Sequence, residues 1–147
     1  MSGKVFVDTN VFVYLFDKDA PAKQAAARKI LETEGPPGHI VLSTQVLQEF
    51  YVSVTRKLGK PLSASEGASA TNDLCAFDVV DVDKEMVVRS MALSRTERMS
   101  FWDALIVEAA RTRGCDRLLT EDLQDGRRFG PLKITNPFSA RTLAPPS

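Results

Sequence analysis

Short apolar runs of strand length alternate along this chain with longer segments in which apolar residues recur at helical spacing. The strand-like runs cover 5–7, 40–42, 77–82, 117–119 and 132–135. The helical pattern is clearest in 43–58, where Phe50, Val54 and Leu58 lie on one side. This alternation predicts an α/β fold, a three-layer sandwich with a central, mostly parallel sheet of about five short strands flanked by helices.

Start and stop signals divide the helical segments. Capping residues, prolines and glycines at their ends predict helices at 11–16, 22–34, 43–58, 63–75, 83–94 and 101–113. Ser63 and Glu66 form the sequence signature of a capping box. The 147 residues contain no internal repeat and no long linker, so we expect a single domain over 1–138 and a flexible C-terminal tail over 139–147.

Composition argues against several kinds of site. The chain has 19 basic and 19 acidic residues, so its net charge does not indicate a nucleic-acid partner, and such contacts must come from local basic clusters. The basic clusters are 56–60, 95–98, 111–117 and 127–128, which can also be ordinary solvated faces. His39 is the only histidine, and Cys75 and Cys115 form no CxxC pair, which argues against a zinc site, a histidine-based triad and a disulfide framework. No signal peptide or membrane-spanning apolar segment is visible, so we expect a cytoplasmic protein without membrane contact.

Four carboxylates lie at the ends of predicted elements. They are Asp8 after the first strand, Glu49 in the helix after the second strand, Asp103 at the start of its helix, and Asp122 after the fourth strand. The carboxyl ends of parallel strands share one edge of a sheet, and sites form there. These acids can therefore converge, and oxygen ligands of this kind suit Mg²⁺ or Mn²⁺. Such a cluster predicts metal-dependent hydrolysis of phosphodiesters.

Three of these acids also have an ordinary structural interpretation. Asp8 can cap the helix that follows it, and Glu49 can belong to a solvated helix face. Asp103 lies three residues after the capping Ser100, where an acid favours the helix dipole. However, the helix behind Asp103 is apolar nearly all round, and a charge at the head of a buried helix needs a partner.

The fourth acid has competitors close by in the sequence. Asp122 lies in the acid-rich loop 121–126, where Asp125 and Gly126 are typical of a turn. Glu121 or Asp125 can therefore be the site residue in place of Asp122. The sequence leaves all three open.

Four sequence elements carry a family resemblance. They are Val7–Val11 (VDTNV), Glu49, Ser100–Ile106 (SFWDALI) and Leu119–Asp122 (LTED). In this order and spacing, over residues 5–138, they resemble the motif set of the PIN-domain nucleases. Within that family the chain is most similar to the VapC-type toxins of bacterial toxin–antitoxin pairs, which are single PIN domains. The ordered set is more specific than any one of its motifs.

The resemblance implies a function and a set of residue roles. It implies an endoribonuclease that depends on Mg²⁺ or Mn²⁺ and hydrolyses RNA by metal-activated water. The acids that would be catalytic and hold the metal are Asp8, Glu49, Asp103 and Asp122. The residues that would support them by hydrogen bonding are Thr9, Asn10 and Thr120. The resemblance also implies a homodimer and inhibition by a small cognate antitoxin protein.

Two other functions stay open from the sequence. One is a PIN-like fold that binds RNA or a protein without cleaving, which predicts that RNA binding persists after Asp8→Asn. The other is a phosphatase with Asp8 as the nucleophile. Such enzymes usually carry a second acid two residues later, where this chain has Asn10.

Overall fold

The chain forms one six-stranded sheet in a computed structural model that describes residues 3–143, with Arg141 described by its backbone alone. The strands are β1 (Val5–Val7), β2 (Ile40–Ser43), β3 (Asp78–Val80), β4 (Arg117–Leu119), β5 (Arg128–Phe129) and β6 (Leu132–Thr135). Their order across the sheet is β3-β2-β1-β4-β6-β5. All neighbours are parallel except β5 and β6, which pair antiparallel.

Helices connect the strands and begin where the sequence provides a cap. They are α1 (Thr9–Tyr14), α2 (Pro21–Glu34), α3 (Thr44–Arg56), α4 (Ala64–Leu74), α5 (Lys84–Glu97), α6 (Phe101–Thr112) and α7 (Ala140–Leu143). The N-caps Ser43, Asp83 and Ser100 each accept a hydrogen bond from the third residue of their helix. Ser63 and Glu66 complete a capping box in both directions at α4.

The strand order decides which helices share a face of the sheet. From β1 the chain moves outward to β2 and β3 through α1–α4, and then returns past β1 to β4 through α5 and α6. Parallel crossovers are right-handed in nearly all proteins, so the reversal places α5 and α6 on the face opposite α1–α4. The helix contacts agree, because α1 and α4 pack on α3 whereas α5 packs on α6. The direction changes between β1 and β4, the switch point at which open α/β sheets form a crevice.

The core lies on both faces of the central strands. Val5, Phe6 and Val7 of β1 are completely buried, as the apolar run predicts for a strand covered on two sides. Residues 104–110 of α6 are all buried as well. The one charge among them, Glu108, forms ion pairs with Arg89 and Arg111 at the edge of the helix.

The predicted α/β sandwich is confirmed, with some differences in the elements. The sheet has six strands instead of five, because β5 is a two-residue strand inside the stretch expected as a loop. The third strand covers 78–80 and not 77–82, and the first helix begins at Thr9 directly after its cap. Residues 140–143 of the expected tail form α7, while 144–147 lie outside the described residues. Between residues 3 and 143, no helix is both long and apolar enough to cross a membrane.

Candidate active site

A cleft of about 560 Å³ opens at the switch point of the sheet. Its walls come from α1, α3, the first turns of α6 and the loop after β4. All four acids that the sequence singled out line this cleft: Asp8, Glu49, Asp103 and Asp122. The topology thus brings together carboxylates that are up to 114 residues apart in the chain, since 122 minus 8 is 114.

Asp8 lies at the buried end of the cleft, with only 5% of its surface exposed. It is the N-cap of α1, and its Oδ1 accepts the backbone N–H of Thr9 at 2.7 Å. Oδ2 accepts the hydroxyl of Thr120, also at 2.7 Å. Burial raises the pKa of Asp8 from 3.8 to about 7; the two hydrogen bonds oppose this rise, and the charges of Asp122 and Glu49 add to it. The capping role and a place in the cleft therefore coexist in one residue.

Thr120 and Asn10 connect Asp8 to Asp122. The Thr120 hydroxyl that donates to Asp8 also accepts the backbone N–H of Asp122 at 3.1 Å. The Nδ2 of Asn10 donates to the carboxylate of Asp122 at 3.0 Å and lies 3.4 Å from the Thr120 hydroxyl. The Oδ1 of Asn10 is buried and has no protein partner among the described residues. Two carboxylates are thus held side by side by neutral hydrogen-bonding groups.

Glu49 and Asp103 face the cleft from opposite sides. Glu49 extends from α3, and its Oε1 accepts the hydroxyl of Thr9 at 3.1 Å. Asp103 is half-buried in the first turn of α6, where its backbone N–H donates to the Ser100 hydroxyl at 3.0 Å. Burial raises the pKa of Asp103; the Ser100 hydroxyl lowers it, and the charge of Asp122 raises it further. The charge of Asp122 thus contributes to the raised pKa of both Asp8 and Asp103.

The other acids of the 121–126 loop have partners elsewhere. Glu121 accepts the hydroxyl of Tyr14 at 2.5 Å and pairs with Lys23 at 3.0 Å. Asp125 accepts the backbone N–H of Asn136 at 2.9 Å, which closes its own turn. Of the three acids that the sequence left open, Asp122 is the one that lines the cleft.

Two of the four basic clusters, 111–117 and 127–128, supply arginines that form ion pairs away from the cleft. The pairs are Arg111 with Glu108, Arg113 with Asp78, Arg117 with Glu34, and Arg127 with Glu97. These arginines are therefore largely solvated structural faces. Lys57, just after α3, is the basic residue that lines the cleft within the described part of the chain.

The comparisons with known proteins agree with this geometry. The family model for the PIN domain matches residues 5–125, which include all four cleft acids. This chain belongs to the PIN-domain family. A search of curated protein sequences found no match.

Solved structures of low sequence identity share the fold of this PIN domain. A toxin–antitoxin complex from Klebsiella pneumoniae matches with a TM-score of 0.69 and 19% identity, over 92% of this chain and 98% of the other. VapC20 from Mycobacterium tuberculosis, described as a toxin that cleaves the sarcin-ricin loop, matches with a TM-score of 0.63 and 20% identity, over 78% and 87%. VapBC2 from Rickettsia felis, bound to DNA of its promoter, matches with a TM-score of 0.64 and 17% identity, over 90% and 97%.

The donor groups of this PIN domain fit a hard divalent cation by their chemistry. The cleft offers carboxylate oxygens, the ligands that Mg²⁺ and Mn²⁺ prefer, and the buried Oδ1 of Asn10 can accept from a metal-bound water. Among residues 3–143, no three His, Cys, Asp or Glu side chains lie close enough to hold an ion by themselves. This spacing suits a cation that takes one or two carboxylates directly and keeps several waters, as Mg²⁺ does.

Several cleft residues of this PIN domain were not singled out as site residues from the sequence. On α3 and just after it, Gln45, Gln48 and Lys57 line the cleft together with Glu49. Gln45 lies four residues before Glu49 and Lys57 eight residues after it, which places these two on the helix side of Glu49, and that periodicity was the available signal for them. Gln48 precedes Glu49 directly. Trp102 also lines the cleft, and its only signal was its position next to Asp103.

Proposed function

We propose that this PIN domain is an endoribonuclease that depends on Mg²⁺ or Mn²⁺ and hydrolyses RNA phosphodiester bonds by metal-activated water. The observation that carries the proposal is the gathering of four carboxylates from separate elements along one cleft, where the pKa of Asp8 and of Asp103 is raised. A cation would relieve the repulsion that crowding of like charges creates. Membership of the PIN-domain family supports the same reaction class.

The side chains divide into those that would hold the cation and those that hold its ligands. Asp8, Asp103, Glu49 and Asp122 would hold the cation, directly or through its waters. When bound, the cation would supply an activated water and stabilise the leaving oxygen of the phosphodiester. Thr9, Asn10 and Thr120 orient three of these carboxylates, because each donates a hydrogen bond to one or two of them.

The basic wall of the cleft would contact the RNA backbone. Lys57 lines the same cleft as the four acids, so it would contact a phosphate next to the scissile one while the scissile phosphate lies at the carboxylates. Contacts of this kind release counterions, and binding should therefore weaken as salt rises. The dependence should be shallow, since Lys57 is the basic residue of the cleft wall and four arginines, Arg111, Arg113, Arg117 and Arg127, are engaged in ion pairs elsewhere.

We also propose that the chain is the toxin of a toxin–antitoxin pair and acts as a homodimer. The support is its fold, which it shares with chains solved in toxin–antitoxin complexes. A small antitoxin that covers the cleft would inhibit cleavage. Sedimentation of the purified chain tests whether it is a dimer. Co-purification with the product of a short neighbouring reading frame tests whether that product binds the chain as an antitoxin.

The reaction is tested by incubating the purified chain with RNA in Mg²⁺ or Mn²⁺, beside a reaction with EDTA. We expect cleavage only with the cation, and a severe loss of cleavage in Asp8→Asn and Asp103→Asn. Cleavage that survives EDTA or both substitutions contradicts the proposal. RNA binding without any product in every condition would favour the non-cutting module, and turnover of small phosphomonoesters through an aspartyl-phosphate would favour the phosphatase.

A further inference from the structure

The single tryptophan of the chain is unusually exposed for its place in the structure. Trp102 is the second residue of α6 and lines the acidic cleft, yet 63% of its surface is open to solvent. Tryptophan is highly buried on average, so an exposed indole beside a site has unused apolar surface. Its neighbour in the sequence is Asp103, one of the four cleft acids.

One contact fixes the backbone of Trp102, and another orients its indole. The Nε2 of Gln45 donates to the backbone carbonyl of Trp102 at 3.2 Å and thereby ties α3 to the start of α6. The ring of Phe101 packs against the indole in an edge-to-face arrangement, with ring centroids 5.1 Å apart and planes at 75°. An aromatic surface that is already oriented loses little conformational entropy when a ligand covers it.

The cleft that Trp102 lines has unfilled hydrogen-bonding capacity as well as apolar surface. Gln45 is 95% buried and lines the cleft, and its Oε1 has no protein partner among the described residues. Gln48 and Lys57 contribute polar groups, and the exposed Val52 contributes an apolar one. A nucleobase matches this mixture, because its faces are apolar and its edges carry hydrogen-bond donors and acceptors.

We propose that Trp102 is a stacking platform for one unpaired base of the RNA. This base would be attached beside the scissile phosphate that lies at the cleft acids, of which Asp103 is one. This inference rests on the proposed function and narrows its substrate to RNA with an exposed base beside the scissile bond. In a duplex the faces of each base are covered by its neighbours, so a paired strand cannot offer one to the indole. Gln45 is then a positioning residue for Trp102.

The uniqueness of Trp102 makes the contact directly observable, because all tryptophan fluorescence of the chain comes from it. The experiment titrates the Asp8→Asn variant in EDTA with a short unpaired oligoribonucleotide, and with the same strand annealed to its complement. Under these conditions cleavage plays no part in the signal. We expect saturable quenching by the unpaired strand and none by the duplex at the same phosphate concentration.

Three variants measure the contribution of stacking to binding, with fluorescence anisotropy of a labelled RNA as the readout. Trp102→Ala should weaken binding about 5- to 150-fold, the range for loss of one stacked base, whereas Trp102→Phe should keep most of the affinity. Val88→Ala is the matched control, since Val88 is equally exposed but lies on α5 and does not line the cleft. Thermal unfolding of each variant checks that the fold is retained.

The outcomes separate this inference from the proposed reaction. Quenching by unpaired RNA together with the loss in Trp102→Ala supports the platform, whether or not the wild-type chain cleaves. Cleavage by the wild-type chain without quenching, and with an unchanged affinity in Trp102→Ala, overturns the platform and leaves the nuclease standing. Quenching by a protein partner alone likewise overturns it and assigns Trp102 to a protein interface.

Discussion

Asp8 is under two opposing demands. It is almost completely buried, which favours the neutral carboxylic acid, while a cation at the site would require the carboxylate. The hydrogen bonds from Thr9 and Thr120 stabilise the charged form but do not cancel the effect of burial, and the pKa stays at about 7. Asp8 therefore lowers the folding stability of the cation-free protein at neutral pH, while its carboxylate would be available to a cation.

This conflict predicts that Asp8→Asn stabilises the cation-free protein at pH 8. The pKa of Asp8 is about 7 in the native state, compared with an ordinary value of 3.8 for an unfolded aspartate. Between these two pKa values the native state binds more protons than the unfolded state, so the stability of the wild-type protein falls as the pH rises from about 4 to 7. The pKa shift of Asp8 corresponds to a loss of about 4 kcal/mol in the free energy of unfolding of the wild-type protein at pH 8. We expect Asp8→Asn to recover about 2 kcal/mol of it, because Asn accepts only one of the two hydrogen bonds that Asp8 accepts. Urea unfolding in EDTA measures it.

The same measurement at pH 4 provides the control. There the native Asp8 is neutral, so the electrostatic gain is lost and only the missing hydrogen bond remains, which should make Asp8→Asn the less stable protein. A variant that is destabilised by the same amount at pH 4 and pH 8 would contradict the raised pKa.

Asn10 supports a prediction about activity without a large effect on stability. Asn10→Ala removes the hydrogen bond to the carboxylate of Asp122 and should lower cleavage about 10- to 100-fold, the usual effect of losing a group that orients a metal ligand. Asn72→Ala, at an exposed position of α4, is the matched control. Equal activities of the two variants would show that the Asn10 hydrogen bond does not orient the site.

From the sequence, an acid of the cleft could be predicted only where a predicted strand or helix fixes its position. Asp8 and Asp103 stand at helix starts that the apolar pattern locates well, and Glu49 lies in the middle of α3, a helix that the same pattern predicts. The choice among Glu121, Asp122 and Asp125 could not be made, since it depends on partners distant in the sequence. Glu121 is engaged by Tyr14 and Lys23, which lie 107 and 98 residues away.

At the scale of elements, the caps and apolar runs were enough to predict most of the fold. The strands β1, β2, β4 and β6 coincide with short apolar runs, and α3 to α6 begin at residues whose side chains favour N-caps. The strand β5 has only two residues and depends on pairing with β6, so it has no periodicity of its own. The helix α7 has four residues and packs against α2, a contact that the local sequence does not indicate.

Ser100 caps α6 and also lowers the pKa of Asp103, so its removal should change both the stability of the fold and the site. Ser100→Ala should lower the free energy of unfolding by about 1 kcal/mol. It should also shift the pH dependence of cleavage upward, because the Ser100 hydroxyl lowers the pKa of Asp103 and a cation requires the ionised carboxylate. The pH profile of cleavage, measured at a fixed cation concentration below saturation, reports this shift.

Ser63→Ala at the cap of α4 is the matched control for this prediction. It removes an equivalent hydrogen bond from an exposed helix start that does not line the cleft. We expect a similar loss of stability with an unchanged pH profile. If both variants leave the profile in place, the Ser100 hydroxyl has no role in the ionisation of Asp103.

At the scale of the whole molecule, the neutral net charge and the acidic cleft leave little positive potential for RNA. A fourth prediction follows for Lys57, the basic residue of the cleft wall. Lys57→Gln should weaken RNA binding and make the slope of log affinity against log salt shallower by about 0.7, the value for one phosphate contact on a single strand. Lys29→Gln, on the exposed side of α2, should change neither quantity.

The site as a whole is a product of the strand order. The strand order reverses between β1 and β4, which opens the crevice and brings Asp8, after β1, next to Asp122, after β4. The helices α3 and α6 then bring Glu49 and Asp103 from opposite faces of the sheet. No short segment of the sequence indicates that the four acids meet. That expectation depends on first inferring a parallel sheet from the pattern of the whole chain.

The measurement that tests the central claim most directly is RNA cleavage with cation add-back, compared between two variants of one loop. Asp122→Asn removes an acid of the cleft, whereas Asp125→Asn removes an acid three residues later that closes a turn. We expect no cleavage in EDTA, recovery on adding Mg²⁺ or Mn²⁺, a severe loss in Asp122→Asn and near-normal activity in Asp125→Asn. Cleavage that is independent of the cation, or equal in the two variants, would contradict this expectation.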